Sequence, residues 1–475
     1  MTTAVEGLAA ASFRPREQEY IWIMFAVTCS TWLIFECVLY FSSFVKEDGI
    51  KQEKRDVHVA SLEDICSQTV STLKGNVCEL GERGETNSDP SIFLDVDSRR
   101  GEVSNNEEIS IGSSDQRFSC RSLLPRRMPA IEGLRVIGAM HVVLYHFYSK
   151  TATFRCIPCR QGLHWVHIFF CITGLVSYRS CSKLKSTDGL RLAAKRVKAL
   201  YPLYFISCAI TYFSKLWQNR LITSMTVLRI LNFTSVLTPP FDEAVYLNMP
   251  GWFLQTLFYY WMCLPHWAVA ARKSTIKGLI IMMIILYVAA FMPHFTWHYI
   301  ISVGDAEPNY YNYLESMAFY SPYTNWMHVP FGTCVAALLD KFDFPHRDKL
   351  ETYGASFGVV ALSLWIAFFR SPDLFDIFDW YFLFNGPFSY PILLLLFFGC
   401  SKDMDITSRC LRILGRLGKL SWPMYILHVP IHAFLHIGLK MDVSPAMEFA
   451  VVLPAALLVG ATLGFIFQEF VNKLI

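Results

Sequence analysis

Charge is scarce in this chain. Asp, Glu, Lys and Arg make up 17% of its 475 residues, where a soluble domain carries about 25%. That deficit excludes a disordered polyelectrolyte and argues against an ordinary soluble enzyme. A disulfide framework is lacking too. The 14 cysteines are scattered, and Cys29, Cys171, Cys208 and Cys263 lie inside apolar runs, where the thiol acts as a packing group. Cys156 and Cys159 form a close pair with no second pair at matching spacing, so a zinc ribbon has no ligand set. A local disulfide or two free thiols is the simpler reading there. No internal repeat is evident, which weighs against an inverted-repeat transporter. The final residues, FVNKLI, spell no retention signal, so plasma membrane, endoplasmic reticulum and Golgi stay open.

Long apolar runs are what the chain does have. Hydrophobic residues reach 53% and aromatics 15%. The expected fold is all-α and polytopic, with about ten core transmembrane helices plus one extra N-terminal span. The first run, 20–44, is too long for a signal-peptide core and reads as a permanent span. Residues 1–19 then form an extracytoplasmic N-terminus. Residues 45–128 are polar and poor in aromatics, the composition of a disordered cytosolic loop; a small domain stapled by Cys66, Cys78 and Cys120 is the alternative. The transmembrane domain occupies 129–475, with spans near 130–149, 162–180, 199–217, 249–270, 276–294, 326–340, 352–369, 386–400, 420–438 and 447–471. The run 221–238 carries Arg229, ends at Pro239-Pro240 and reads as interfacial or re-entrant. Basic residues collect in loops 181–198 and 401–419 and at Arg272, Lys273 and Lys277, and one topology puts all of them on one side. The positive-inside rule makes that side the cytosol, with the N-terminus outside and the C-terminus inside. Asn232-Phe233-Thr234, an N-glycosylation sequon, then falls outside.

Against this background GLRVIGAMHVVLYHF, 133–147, stands out. It places one arginine and two histidines in an apolar helix, where ionisable groups are costly and mark functional sites. Arg135 and His146 are eleven residues apart, which is three turns plus roughly 20°, so they share a face about 16 Å apart along the axis. His141 points elsewhere and reads as packing. The shared face joins a permanent cation suited to phosphate to an imidazole able to accept and return a proton near neutral pH. The plain alternative has Arg135 snorkelling to headgroups and His146 bonding a neighbouring helix.

The spacing Arg135, ten residues, His146 is similar to the signature of the membrane-bound acyltransferase 3 family. Further segments resemble that family in chain order. They are His167-Ile168-Phe169-Phe170 with Thr173-Gly174; Lys195-Arg196 with Tyr201-Pro202 and Tyr204; Trp252-Phe253-Leu254 with Pro265; Ser321-Pro322-Tyr323-Thr324 with Gly332; and Ser421 with Tyr425, His428 and Pro430. The extra first span resembles the eukaryotic branch typified by the nose-resistant-to-fluoxetine proteins. The departures are specific. His167 stands where the family often has Asp, Thr173 replaces Ser, and Ala199 replaces a basic residue. Leu257 takes an acidic position, Asn325 replaces an Arg, and Val471 follows Glu469-Phe470 where Pro is common.

The resemblance implies transfer of an acyl group, commonly acetyl, from acyl-CoA as co-substrate to a hydroxyl of a carbohydrate, lipid or small molecule. No tightly bound cofactor, metal or nucleic acid is implied. Arg135 and His146 are the expected catalytic pair. Arg135, Lys195 and Arg196 are the expected phosphate holders, and His146 the general base. Tyr145, Trp252, Tyr425 and His428 are candidates for the substrate pocket. Tyr425, His428, His432 and His436 form one stripe, read as a polar lining rather than a metal site because no acid accompanies it. Trp252 has a second reading as an interfacial anchor, and Glu132 as a partner of helix N-terminal amides. A transporter using Arg135 and His146 as a relay, and a family member that has lost catalysis through Leu257 and Asn325, stay as alternatives.

Overall fold

The structure is a computed structural model. It describes residues 128–148, 161–181, 184–238, 246–293, 295–296, 317, 320–341, 347–368, 389–402, 406–435 and 451–474. All belong to one of the two compact units into which the chain divides, 1–46 joined with 122–475. The expected N-terminal span, the polar loop up to 127 and the Cys156–Cys159 pair lie outside the described residues.

Among the described residues every regular element is a helix. In chain order these are α1 (Pro129–Tyr148), α2 (Trp165–Ser180), α3 (Gly189–Trp217), α4 (Ser224–Leu231), α5 (Gly251–Lys273), α6 (Ile276–Ala289), the single turn α7 (Pro322–Asn325), α8 (His328–Lys341), α9 (Arg347–Phe368), α10 (Ser389–Gly399), α11 (Ile406–Leu414), α12 (Gly418–Ala433) and α13 (Leu453–Leu474). Within the described residues, no helix is long and apolar enough to cross a membrane. α6 and α8 have 14 residues and α10 has 11. The longer α3 and α5 hold a proline in mid-helix, Pro202 and Pro265. The 221–238 run becomes the short α4, N-capped by the Thr223 hydroxyl, with Met225 and Leu228 outward and Ile230 buried.

A proline inside a helix lacks the N–H that the carbonyl four residues earlier needs. In α12 Pro430 leaves Ile426 in this position. Asn248, just before α5, donates its Nδ2 to the Ile426 carbonyl at 3.0 Å and to Ser207 Oγ at 2.7 Å. One buried amide thus satisfies the break in α12 and joins it to α3. Packing elsewhere is equally close. α2 lies along α8, α9 along α10, α12 along α13, and α1 against both α11 and α12. Gly174 on α2 and Gly332 on α8 form a tight reciprocal seam, because a Cβ on either would meet the other helix's backbone carbonyl at 2.0 and 1.9 Å.

Charged groups cluster at the ends of particular helices. Lys341 Nζ donates to the carbonyls of Ala271, Arg272 and Ser274 at 3.1, 2.5 and 2.7 Å, closing the C-terminal end of α5. A cation there also meets the negative end of the helix dipole. Buried Arg347 pairs with buried Glu351 at 2.6 Å, and Lys402 joins from the end of α10 at 2.6 Å. Arg347 also donates to the Leu339 carbonyl at 3.1 Å, so the two groups of contacts lie at the same end of α8.

Candidate active site

Five helices enclose a cavity of about 280 Å³. α1 contributes Arg135 and Ala139, one turn apart. α2 contributes Phe169, Ile172, Thr173 and Val176, a single face by spacing. Arg196, Ala199 and Leu200 come from α3; Phe253, Leu257 and Trp261 from α5; and Ser421, Trp422 and Tyr425 from α12. The two guanidinium groups supply its charge, and no carboxylate lines it. A larger cavity of about 470 Å³, between α6, α8, α9 and α10, has only aliphatic, aromatic, methionine and proline side chains in its wall. It offers no group for acyl or phosphoryl chemistry, so the smaller cavity is the candidate site.

Each arginine is held differently. Arg135 Nη1 donates to Glu132 Oε2 at 2.8 Å, and both side chains are 37% exposed. Glu132 is therefore the partner of Arg135 within α1, a role beyond greeting the helix amides. Arg196 donates from Nη2 to Ser177 Oγ at 2.8 Å and sits 5.5 Å from the Trp261 ring centre. Burial lowers its pKa from the usual guanidinium value, and the Arg135 charge acts in the same direction. It still carries its proton at any physiological pH. Two cations, one tied to an acid and one to neutral partners, leave net positive charge at the cavity. That suits an anion.

The imidazoles stand beyond the Tyr425 wall. His146 and His428 rings lie 5.1 Å apart, and the Tyr425 ring is 6.3 Å from His428. His428 Nδ1 is 3.1 Å from the Met424 carbonyl. A carbonyl can only accept, so Nδ1 carries the proton and Nε2 of the neutral ring is the acceptor. Tyr145 packs edge-on against His146 at 5.2 Å, and His432 sits 4.6 Å from Phe147. His141 accepts from Trp165 Nε1 at 2.8 Å, a packing bond to α2. Among the described residues no group of three or more His, Cys, Asp or Glu is placed to hold a metal ion; His436 lies outside them.

Arg135, Arg196 and Tyr425 thus share one cavity, with His146 and His428 paired next to Tyr425. Lys195 is exposed and Trp252 is not in the cavity wall. Trp252 is a core residue, 5% exposed and packed on Phe170 and Tyr320. Its neighbour Phe253 takes the wall position. Ser177 and Trp261 carry no sequence signal, because their part is defined only by α2 and α5 closing around Arg196. Glu132 was legible from its three-residue spacing to Arg135.

The departures separate spatially. His167 Nε2 lies 3.2 Å from Asn325 Oδ1, so the two substituted positions touch each other. Asn325 Nδ2 donates to the Ser321 carbonyl at 3.2 Å, which turns its oxygen toward His167. His167 also lies 4.6 Å from His328, ring to ring, and His328 Nδ1 is 2.6 Å from the Tyr390 hydroxyl. This chain is buried and does not line the cavity. Thr173, Ala199 and Leu257 do line it.

A family model described as an acyltransferase domain matches residues 128–465. The chain belongs to the acyltransferase 3 family. The matched region contains every residue of the cavity and both imidazoles. No curated protein and no solved structure matches the chain.

Proposed function

We propose that the protein is an integral membrane acyltransferase that moves an acyl group, in the simplest case acetyl, from acyl-CoA to a hydroxyl of a carbohydrate, lipid or small molecule. The observation that carries this reading is the cavity that begins at Arg135 and Arg196 and ends at Tyr425, next to the His146–His428 pair. Arg135 and Arg196 hold phosphate oxygens of CoA by charge-assisted hydrogen bonds. The pantetheine arm runs along the apolar wall, and the helix spacing asks it to cover about 16 Å. Near His146 the acceptor oxygen attacks the thioester carbon while His146 takes its proton. Collapse of the tetrahedral intermediate breaks the C–S bond, and the imidazolium returns the proton to the departing thiolate. His428, its tautomer set by the Met424 carbonyl, orients the His146 ring.

The bilayer setting rests on the apolar runs and the clustering of basic loops on one side. CoA is cytosolic, and the same topology puts the arginine end of α1 at the cytosolic face. The His167–Asn325 contact supports retained catalysis, since two of the departures complement one another away from the cavity. The test uses detergent-purified protein with radiolabelled acetyl-CoA and a lysate of acceptors. Label should reach an acceptor with wild type. Arg135→Ala should raise the KM for acetyl-CoA, and His146→Ala should lower kcat by roughly 10²–10⁴-fold. Transfer unchanged in His146→Ala would remove the general base, and CoA binding without transfer would assign a regulatory role.

A further inference from the structure

The segment from α11 into the first residues of α12 carries chemistry that acyl transfer does not use. Residues 406–419, ITSRCLRILGRLGK, contain Arg409, Arg412, Arg416 and Lys419 and no carboxylate. One face of α11 is fixed. Ser408 and Leu411 are buried, and the Thr407 hydroxyl bonds Ser356 of α9 at 2.7 Å. A Cβ on Gly133 would lie 1.8 Å from the Leu411 carbonyl oxygen, and one on Gly415 would lie 2.1 Å from that of Pro129. Leu411 therefore opposes Gly133 while Gly415 opposes Pro129, so α11 runs antiparallel to the first turns of α1 at backbone contact.

The other face is exposed. Ile406 is 76% exposed, Ile413 58% and Leu417 48%, and with exposed Cys410 they recur at spacings of four, three and four, one helical stripe. All four cations are exposed beside it. Water disfavours the aliphatic stripe, and hydrocarbon disfavours four cations. Only the boundary between the two accommodates both. Proposed topology puts this boundary on the cytosolic leaflet, where basic side chains meet lipid phosphates and carboxylates.

We propose that α11 and the turn after it form a contact for anionic phospholipid headgroups of the cytosolic leaflet, with Ile406, Ile413 and Leu417 in the acyl-chain boundary and Arg409, Arg412, Arg416 and Lys419 on the headgroups. This rests on the bilayer setting proposed above. The contact is also close to the candidate site. A Cβ on Gly418 would lie 3.2 Å from Glu132 Oε2, the oxygen that pairs with Arg135.

The test is native mass spectrometry of the full protein in detergent, titrated with phosphatidylserine or phosphatidylcholine. Wild type should prefer phosphatidylserine. Arg409→Gln, Arg412→Gln and Arg416→Gln should each weaken that preference by up to about fivefold. The same change at Arg191, Lys195 and Lys198 of α3 should not, and unfolding midpoints should stay within a few degrees in all variants. Preference unchanged in the triple α11 variant overturns the proposal. So does displacement of the lipid by free phosphate at equal concentration, which would make this a soluble-anion site. A dimer abolished by Ile413→Asp would assign the face to a second copy and overturn it too. Wild type that stays monodisperse without detergent would instead remove the bilayer setting on which the proposal stands.

Discussion

The contact between His167 and Asn325 changes how the departures from the family pattern are weighed. Taken singly, His for Asp and Asn for Arg each look like a lost charge in an apolar protein. Together they form a hydrogen bond at 3.2 Å that needs no carboxylate or guanidinium, with both side chains buried. Such a pair avoids the desolvation penalty of two buried ions, and breaking a charged pair from one side leaves the other ion uncompensated. His167→Asp alone puts a carboxyl beside an amide that has turned its oxygen toward it. Asn325→Arg alone sets a guanidinium against an imidazole. Each should cost about 3–5 kcal/mol. The double variant should recover about 1–3 kcal/mol of the summed loss by coupling. Thermal unfolding of the four proteins in one detergent gives the cycle, and additive losses would show that the two positions are independent.

Helices in this domain are held by close backbone approach as much as by side chains. The α2–α8 seam closes where Gly174 faces the Val329 carbonyl and Gly332 faces that of Cys171. α2 supplies the Phe169, Ile172, Thr173 and Val176 wall of the cavity, so the seam sets where that wall stands. A methyl group at either glycine forces the helices apart, since the clashing atoms are backbone. Gly174→Ala and Gly332→Ala should each destabilise by about 1–3 kcal/mol. They should also raise the KM for acyl-CoA, because the wall moves with α2. Unfolding midpoints and acyl-CoA titration measure the two effects; a variant with wild-type values for both would show that the seam has slack.

At the scale of the molecule, the cations at one end of the bundle form two staples. Lys341 ties α8 to the end of α5, and Arg347, Glu351 and Lys402 tie α9 to α10. The exposed basic residues of 189–198 and 406–419 belong to segments that the proposed topology puts at the same face. Trypsin added to sealed vesicles with the cytosolic face inside should spare 181–198 and 401–419 until the vesicles are opened. Cleavage at Arg191 or Arg416 in sealed vesicles would reverse the sidedness, and with it the access of cytosolic acyl-CoA to Arg135.

The residue pattern by itself determined the helical class, the segmentation into apolar runs, and the family, because hydropathy and the Arg135–His146 spacing are local and survive without a fold. The ordered motifs named Arg135, Lys195, Arg196 and Tyr425 as candidates, and packing decided that Lys195 stays outside the wall that the other three share. The partners of those residues were set by tertiary structure alone. Ser177 and Trp261 reach Arg196, Asn248 finds the Ile426 carbonyl, and His167 meets Asn325, each across long stretches of chain where no periodicity applies. Trp252 and Phe253 show the same division in adjacent positions. Both are apolar aromatics on α5, and helical phase against α2 and α12 decided that Phe253 faces the cavity while Trp252 faces the core. Contacts of this kind depend on how helix faces are rotated and how closely backbones approach, and those are fixed only when all the helices pack together.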